Sequence, residues 1–268
     1  VKEEAVSLAK QVIDPTERLN LLREYVQAFI LRSLHESEAF RCLSFVGGTA
    51  LRFVFQLPRF SVDLDFSLEI LEGYDPLAWM QKIKRDMQLA GFQTTLTWND
   101  RKTVHTAWVR AAHILQEVDL AAMSDQNLSI KLEIDTRPPS GGVTKTTLVN
   151  RHMLFVLRHH DLPSLMAGKI HALVTRNYPK GRDWYDLVWY RARKPPLRPN
   201  LELLQSALDQ TEGAGAIDAR EWSHILQDKL AVTDTVALRK DVAAFLERPS
   251  DAELLTTENL SSILSDSY

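Results

Sequence analysis

In Pro58-Arg-Phe-Ser-Val-Asp-Leu-Asp-Phe66, polar and apolar side chains alternate and the last two polar positions are both aspartate, and no other stretch constrains the fold of this chain as much. A strand has a side-chain period of two, so Val62, Leu64 and Phe66 face one way while Asp63 and Asp65 face the other. A sheet that buries the first set must carry two carboxylates on its opposite face. Adjacent carboxylates repel each other unless a hard divalent cation such as Mg²⁺ or Mn²⁺ neutralises them, and Mg²⁺ binds carboxylate and phosphate oxygens together. Taken alone, Asp-x-Asp also describes a solvated edge strand. The upstream residues favour the metal reading: an apolar run from Cys42 to Val46 ends at Gly47-Gly48, where the backbone can turn sharply and approach a phosphate. Thr49 then opens a helical stretch through Val54 whose first N–H groups suit an anion.

The rest of the chain reads as an α/β core followed by helices. Asp14-Pro15-Thr16-Glu17 is a capped helix start, with Leu19, Leu22, Val26, Phe29 and Ile30 at helical spacing after it. Asp75-Pro76 starts a second helix that ends at Gly91. Phe92 to Trp98 and Thr103 to Val109 alternate around Asn99-Asp100 as a hairpin, Leu128 to Arg137 is another alternating strand, and Leu154 to Leu157 is a short one. From Asp161 onward the pattern is helical. The expected fold is therefore an α/β (α+β) core with a mixed sheet over 1–158 and an all-α region over 159–268, with the active site in the cleft between them.

A chain of 268 residues with 45% hydrophobic content can bury a substantial core. Its net charge of -3 excludes a globally basic nucleic-acid coat, so any RNA contact must come from a local patch. The single cysteine, Cys42, excludes a disulfide framework and a cysteine-based zinc site. No apolar run approaches a membrane span and the start lacks a signal-peptide pattern, which predicts a cytoplasmic protein with no membrane partner.

Gly47-Gly48-Thr49-Ala50-Leu51-Arg52, read with Arg59, Ser61, Asp63, Asp65 and Phe66, resembles the nucleotidyltransferase superfamily of the DNA polymerase β type. More closely it resembles the AbiEii family, the toxin component of type IV toxin–antitoxin and abortive-infection systems. A second block, Lys169-Ile-His-Ala-Leu-Val-Thr-Arg176 followed by Gly181-Arg-Asp-Trp-Tyr-Asp-Leu187, is similar to that family's Lys-x-x-Ala-Leu…Arg…Arg-Asp-x-Tyr-Asp-Leu pattern. The resemblance runs from about Phe45 to Tyr190. It implies metal-dependent transfer of a nucleoside monophosphate from an NTP to an acceptor, with release of pyrophosphate. Asp63 and Asp65 would bind the metal, and Gly47, Gly48 and Thr49 would cradle the β and γ phosphates. Arg59, Ser61 and Arg176 would be further nucleotide contacts, with Lys169 and Asp183 in the active site. It also implies the 3′ end of tRNA as acceptor, which would block translation, and a separately encoded antitoxin of winged-helix type.

Several residues are read against this resemblance. In the strand from Leu128, Lys131, Glu133 and Asp135 share the polar face, and polymerase-β-like enzymes place a third metal carboxylate mid-strand, which favours Glu133 over Asp135. Lys169 and Arg176 lie two turns apart on one helix flank, where Lys169 could offset charge on a triphosphate and Asp183 could position it by a salt bridge. Asp186 and Arg182 are equally well read as structural residues. His159, His160 and His171 lack partners at metal-ligand spacing and read as surface or packing residues. Arg191 to Arg198 is a basic segment that could guide a nucleic-acid backbone or simply link domains. The helices after Asn200 show no chemistry and read as a packing or partner-binding region. Two other functions fit the same motifs: a small-molecule, antibiotic-type nucleotidyltransferase, and a catalytically idle NTP-binding partner protein.

Overall fold

The computed structural model describes residues 1–122 and 126–265. The chain divides into two compact units: Val1–Gln56 with Phe60–Pro138 and Thr144–His159, and Leu57–Arg59 with Pro139–Val143 and His160–Tyr268.

The first unit is built on a seven-stranded mixed sheet. Its strands are β1 (Leu43–Val46), β2 (Leu64–Leu68), β3 (Gln93–Asn99), β4 (Val104–Ala112), β5 (Leu128–Asp135), β6 (Thr144–Arg151) and β7 (Met153–His160), in the order β3-β4-β5-β2-β1-β7-β6. The β2 strand runs antiparallel to β1 and parallel to β5, and it carries the predicted alternation. Leu64 and Phe66 are buried beside Leu132 and Ile134 of β5. Helix α2 (Pro15–Glu36) packs against β5 and against α4 (Pro76–Leu89), which in turn lies on β3. Both helices start as the sequence predicts, with Asp14 and Asp75 accepting hydrogen bonds from Glu17 N and Ala78 N and a proline in the first turn.

Several boundaries differ from the sequence reading. Helix α3 (Gly47–Phe55) begins at Gly47 rather than Thr49, so both glycines lie within its first turn. Asp63 stands one residue before β2, the Leu128 strand stops at Asp135, and the second arm of the hairpin runs on to Ala112. Three elements escape the sequence pattern, one of them the single-turn helix α5 (Ile114–Glu117). Helix α1 (Lys2–Lys10) is short and polar and has no side-chain cap. Strand β6 buries only Val149, so it shows no alternation to detect. Of the two readings of His159 and His160, packing is the one the fold shows, since both are buried.

The second unit contains α6 (Leu162–Thr175), α7 (Gly181–Arg191), α8 (Leu201–Glu212), α9 (Trp222–Ala231), α10 (Thr235–Ala243) and α11 (Thr257–Ser265). Asp161 caps α6 by accepting from Ser164 N at 3.0 Å. At the other end of α6 the Lys229 ammonium donates to the carbonyls of Leu173 at 3.0 Å and Arg176 at 3.1 Å, satisfying acceptors that a helix end leaves open. Gly181 lets α7 approach α10 closely: a Cβ there would stand 2.0 Å from the carbonyl oxygen of Leu238. Among the described residues, no helix is long and apolar enough to cross a membrane.

Candidate active site

The polar face of the first unit's sheet is organised in rows by strand register. Asp65 pairs with Glu133, Glu133 with Thr106 and Thr106 with Asn99, so one row runs across β2, β5, β4 and β3. The neighbouring row joins Lys131, Trp108 and Thr97. Leu64 pairs with Leu132, so Asp63, one position earlier, stands at the β2 end of that second row. Asp63, Asp65 and Glu133 thus share one face, as their sequence positions predict.

The Lys131 ammonium sits among these acids. It forms an ion pair with Glu133 at 2.8 Å. Burial alone would lower its pKa, but the hydrogen bond it donates to Glu133 and the charges of Glu133, Asp63 and Asp65 outweigh burial and hold it above the ordinary lysine value. The three carboxylates and one ammonium leave two net negative charges, the complement of one divalent cation. Their donor set, all carboxylate oxygen, suits Mg²⁺ or Mn²⁺. Among the described residues, however, no three His, Cys, Asp or Glu side chains gather tightly enough to form a ready-made metal site.

Gly47 is held against this row. Its φ is +75° and a Cβ built on it would lie 2.3 Å from Asp65 Oδ2, so the carboxylate occupies the space a side chain would need. Gly48 is buried in the same turn. Thr49 is fully buried, and its hydroxyl donates to the Asp63 carbonyl, tying the start of α3 to the residue before β2. What this turn can offer an anion is therefore backbone N–H, with the Thr49 hydroxyl already engaged. Ser61 is half-buried, and its carbonyl accepts from Gln27 Nε2 at 3.1 Å.

The second unit holds a separate charge cluster. Lys169 on α6 contacts Asp183 at 3.0 Å and Asp186 at 2.9 Å, both on α7. The Lys169–Asp183 contact expected from the sequence is thus present. Arg176 pairs with the other oxygen of Asp183. Arg59 is only 1% exposed and meets Asp186 through Nε and Nη2, each at 2.6 Å. As placed, Arg59 orients Asp186, a different role from direct contact with a nucleotide. Burial opposes charge on Lys169, yet Asp183 and then Asp186 raise its pKa above the ordinary value. Burial likewise opposes the Asp183 carboxylate, and Lys169 and Arg176 hold it below the usual carboxylate range. Lys169 is therefore a fixed ammonium, suited to stabilising negative charge and unsuited to acting as a base near neutrality. Among these five side chains, three cations face two carboxylates, which leaves one positive charge.

The model of the nucleotidyl transferase AbiEii toxin family, of type IV toxin–antitoxin systems, matches residues 29–261. The chain belongs to the AbiEii family. No curated protein matches it. Among solved structures, it is similar to a Helicobacter pylori protein assigned as a nucleotidyltransferase, at 20% identity and a TM-score of 0.54 over 91% of this chain and 92% of that one. A second, JHP933 from Helicobacter pylori, gives 19% identity and a TM-score of 0.50 over 91% and 90% of the two chains. These likenesses show a shared fold. AbiEii membership makes nucleotidyl transfer from an NTP, and a toxin's dependence on an antitoxin, the functional frame for this chain.

Within that AbiEii frame, two residues of the candidate site make contacts that the sequence alone does not assign. Lys131 read only as part of a polar strand face, and its meeting with Asp63 and Asp65 depends on the β5–β2 register. Asp186 reads as structural in the sequence, and in the fold its carboxylate links Arg59 and Lys169. The family spacing Arg-Asp-x-Tyr-Asp contains both acids, and a charged residue set one helical turn after Asp183 was the available signal.

Proposed function

We propose that this AbiEii protein is a metal-dependent toxin that transfers a nucleoside monophosphate from an NTP to the 3′ end of tRNA and thereby blocks translation. Asp63, Asp65 and Glu133 would hold the divalent ion, which when bound would draw phosphate oxygens onto the carboxylate face and offset their charge. Backbone N–H groups of Gly47, Gly48 and Thr49 receive the β and γ phosphates. The acceptor hydroxyl oxygen bonds to the α-phosphorus, the bond to the β-phosphate oxygen breaks, and pyrophosphate leaves with that electron pair. Glu133 accepts the proton from the attacking hydroxyl. Lys169, kept charged by Asp183 and Asp186, offsets the negative charge that grows on the departing phosphates. Arg176 and Ser61 contribute nucleotide contacts, Arg59 supports them through Asp186, and an antitoxin of winged-helix type restrains the toxin.

The observation that carries this reading is the β2–β5 register, which sets Asp63, Asp65 and Glu133 on one sheet face beside Lys131. The test is incubation with α-labelled or γ-labelled NTP, Mg²⁺, and either total tRNA or an aminoglycoside. The reading predicts label on tRNA from the α-labelled NTP alone. Label on the aminoglycoside instead, or on tRNA from the γ-labelled NTP, contradicts it.

A further inference from the structure

A cleft of about 550 Å³ opens on the polar face of the first unit's sheet, lined by Thr106, Trp108, Lys131 and Glu133, with Asn99 and Lys102 at the β3–β4 end. It lies along the two side-chain rows described above, which reach Glu133 in the cleft and Asp63 and Asp65 at their β2 end. Trp108 is 36% exposed on a strand whose inward residues, Ala107 and Val109, are buried. On this polar face the indole presents a partly open aromatic plane with an apolar body. Two cations flank it: Lys131 Nζ lies 5.8 Å and Arg110 Cζ 5.7 Å from its ring centroid. An exposed aromatic plane bordered by Lys and Arg is the arrangement that takes an unpaired nucleobase, with the ring stacking and the cations meeting the backbone phosphates.

Under the nucleotidyl-transfer reading, the sheet order separates a nucleotide side from an acceptor side. In β3-β4-β5-β2-β1, the strand with Asp65 lies between β1, which leads into the Gly47 turn, and β5, which leads into the cleft. A triphosphate on the Gly47 side leaves the β5 side for the acceptor. Two strand spacings, about 10 Å, separate the Trp108 strand from the Asp65 strand. That distance is comparable to the span of a single nucleotide.

We propose that this cleft is the acceptor-strand site, in which the single-stranded 3′ end of an RNA stacks a terminal base on Trp108 and presents its hydroxyl to Glu133. The inference rests on the nucleotidyl-transfer reading above and adds where the acceptor binds. Lys102 and Arg110 meet the incoming phosphates, which answers how a chain of net charge -3 holds RNA.

The test is equilibrium binding of labelled total tRNA, followed by fluorescence anisotropy in Mg²⁺ without NTP, using intact tRNA and the same tRNA trimmed of its unpaired 3′ nucleotides. Trp108→Ala is expected to weaken binding of intact tRNA about tenfold, with Trp108→Phe recovering most of it. Trimmed tRNA should bind the unaltered protein as weakly as intact tRNA binds Trp108→Ala. In transfer assays the KM for NTP should be unchanged by Trp108→Ala. Equal binding of intact tRNA by Trp108→Ala and the unaltered protein, or a rise in KM for NTP alone, overturns the proposal. An Asp63→Asn control keeps the two ideas apart: it should bind tRNA normally and transfer nothing. Transfer persisting in that folded variant would overturn the catalytic reading and leave the Trp108 binding result to stand or fall separately.

Discussion

Gly47 shows how a single missing side chain fixes the candidate site. Its positive φ is one that a residue with a Cβ adopts at a cost of about 1–3 kcal/mol, and the space for that Cβ is already filled by the Asp65 carboxylate. Gly47→Ala should therefore lower thermal stability modestly while displacing Asp65. Label transfer to tRNA should fall far more than the melting temperature does, and a variant with full transfer would show that Asp65 has no fixed role. The need for glycine and the pair of acids were both legible in the sequence, because turn chemistry and strand alternation are local. Lys131 was not legible as their partner. A lysine on a polar strand face looks solvated until the register places it opposite Asp63, and that register joins segments far apart in the chain.

Among the elements, the α6–α7 pair is held by charge as well as by packing. Asp186 is fully buried and receives both Arg59 and Lys169, so Asp186→Ala would strand the 1% exposed Arg59 guanidinium without its carboxylate. Removing one partner of a buried pair costs about 3–5 kcal/mol, and chemical denaturation of Asp186→Ala should show a loss of that order. A loss below about 1 kcal/mol would mean the pair is not structurally important. The partners are 127 residues apart, which is why no sequence pattern revealed them. A second buried network joins α2 to the turn between β6 and β7: Glu24, 3% exposed, meets Arg52, Arg151 and His152. Burial would raise the Glu24 pKa, but His152 and the two arginines pull it down from 4.5 to about 2. A depressed carboxylate pKa stabilises the fold above the unfolded value, and that contribution is lost as pH falls through the folded one. The difference is worth about 3 kcal/mol, lost between about pH 4.5 and pH 2. Urea midpoints measured over that window should fall steeply for the unaltered protein and less so for Glu24→Gln. Parallel slopes would contradict the assignment. Helix starts at Asp14, Asp75 and Asp161 were readable because caps are local, whereas β6 was not, since an edge strand with one buried residue has no hydrophobic period.

For the whole molecule, the charges matter by location rather than by total. The chain carries -3 overall, yet the first unit's sheet face gathers carboxylates around one lysine and the second unit gathers three cations around two acids. The first suits a divalent cation and the second suits phosphate, the two kinds of charge that the proposed transfer would bring to a member of the AbiEii family. The central claim is that Asp63 and Asp65 support this transfer through a divalent ion. It is tested most directly by adding α-labelled NTP and total tRNA to the unaltered protein and to the Asp63→Asn, Asp65→Asn double variant, with Mg²⁺ or with EDTA, after circular dichroism has shown the variant folded. The account predicts labelled tRNA only for the unaltered protein with Mg²⁺. Label on tRNA from the folded double variant, or from the unaltered protein in EDTA, would contradict it.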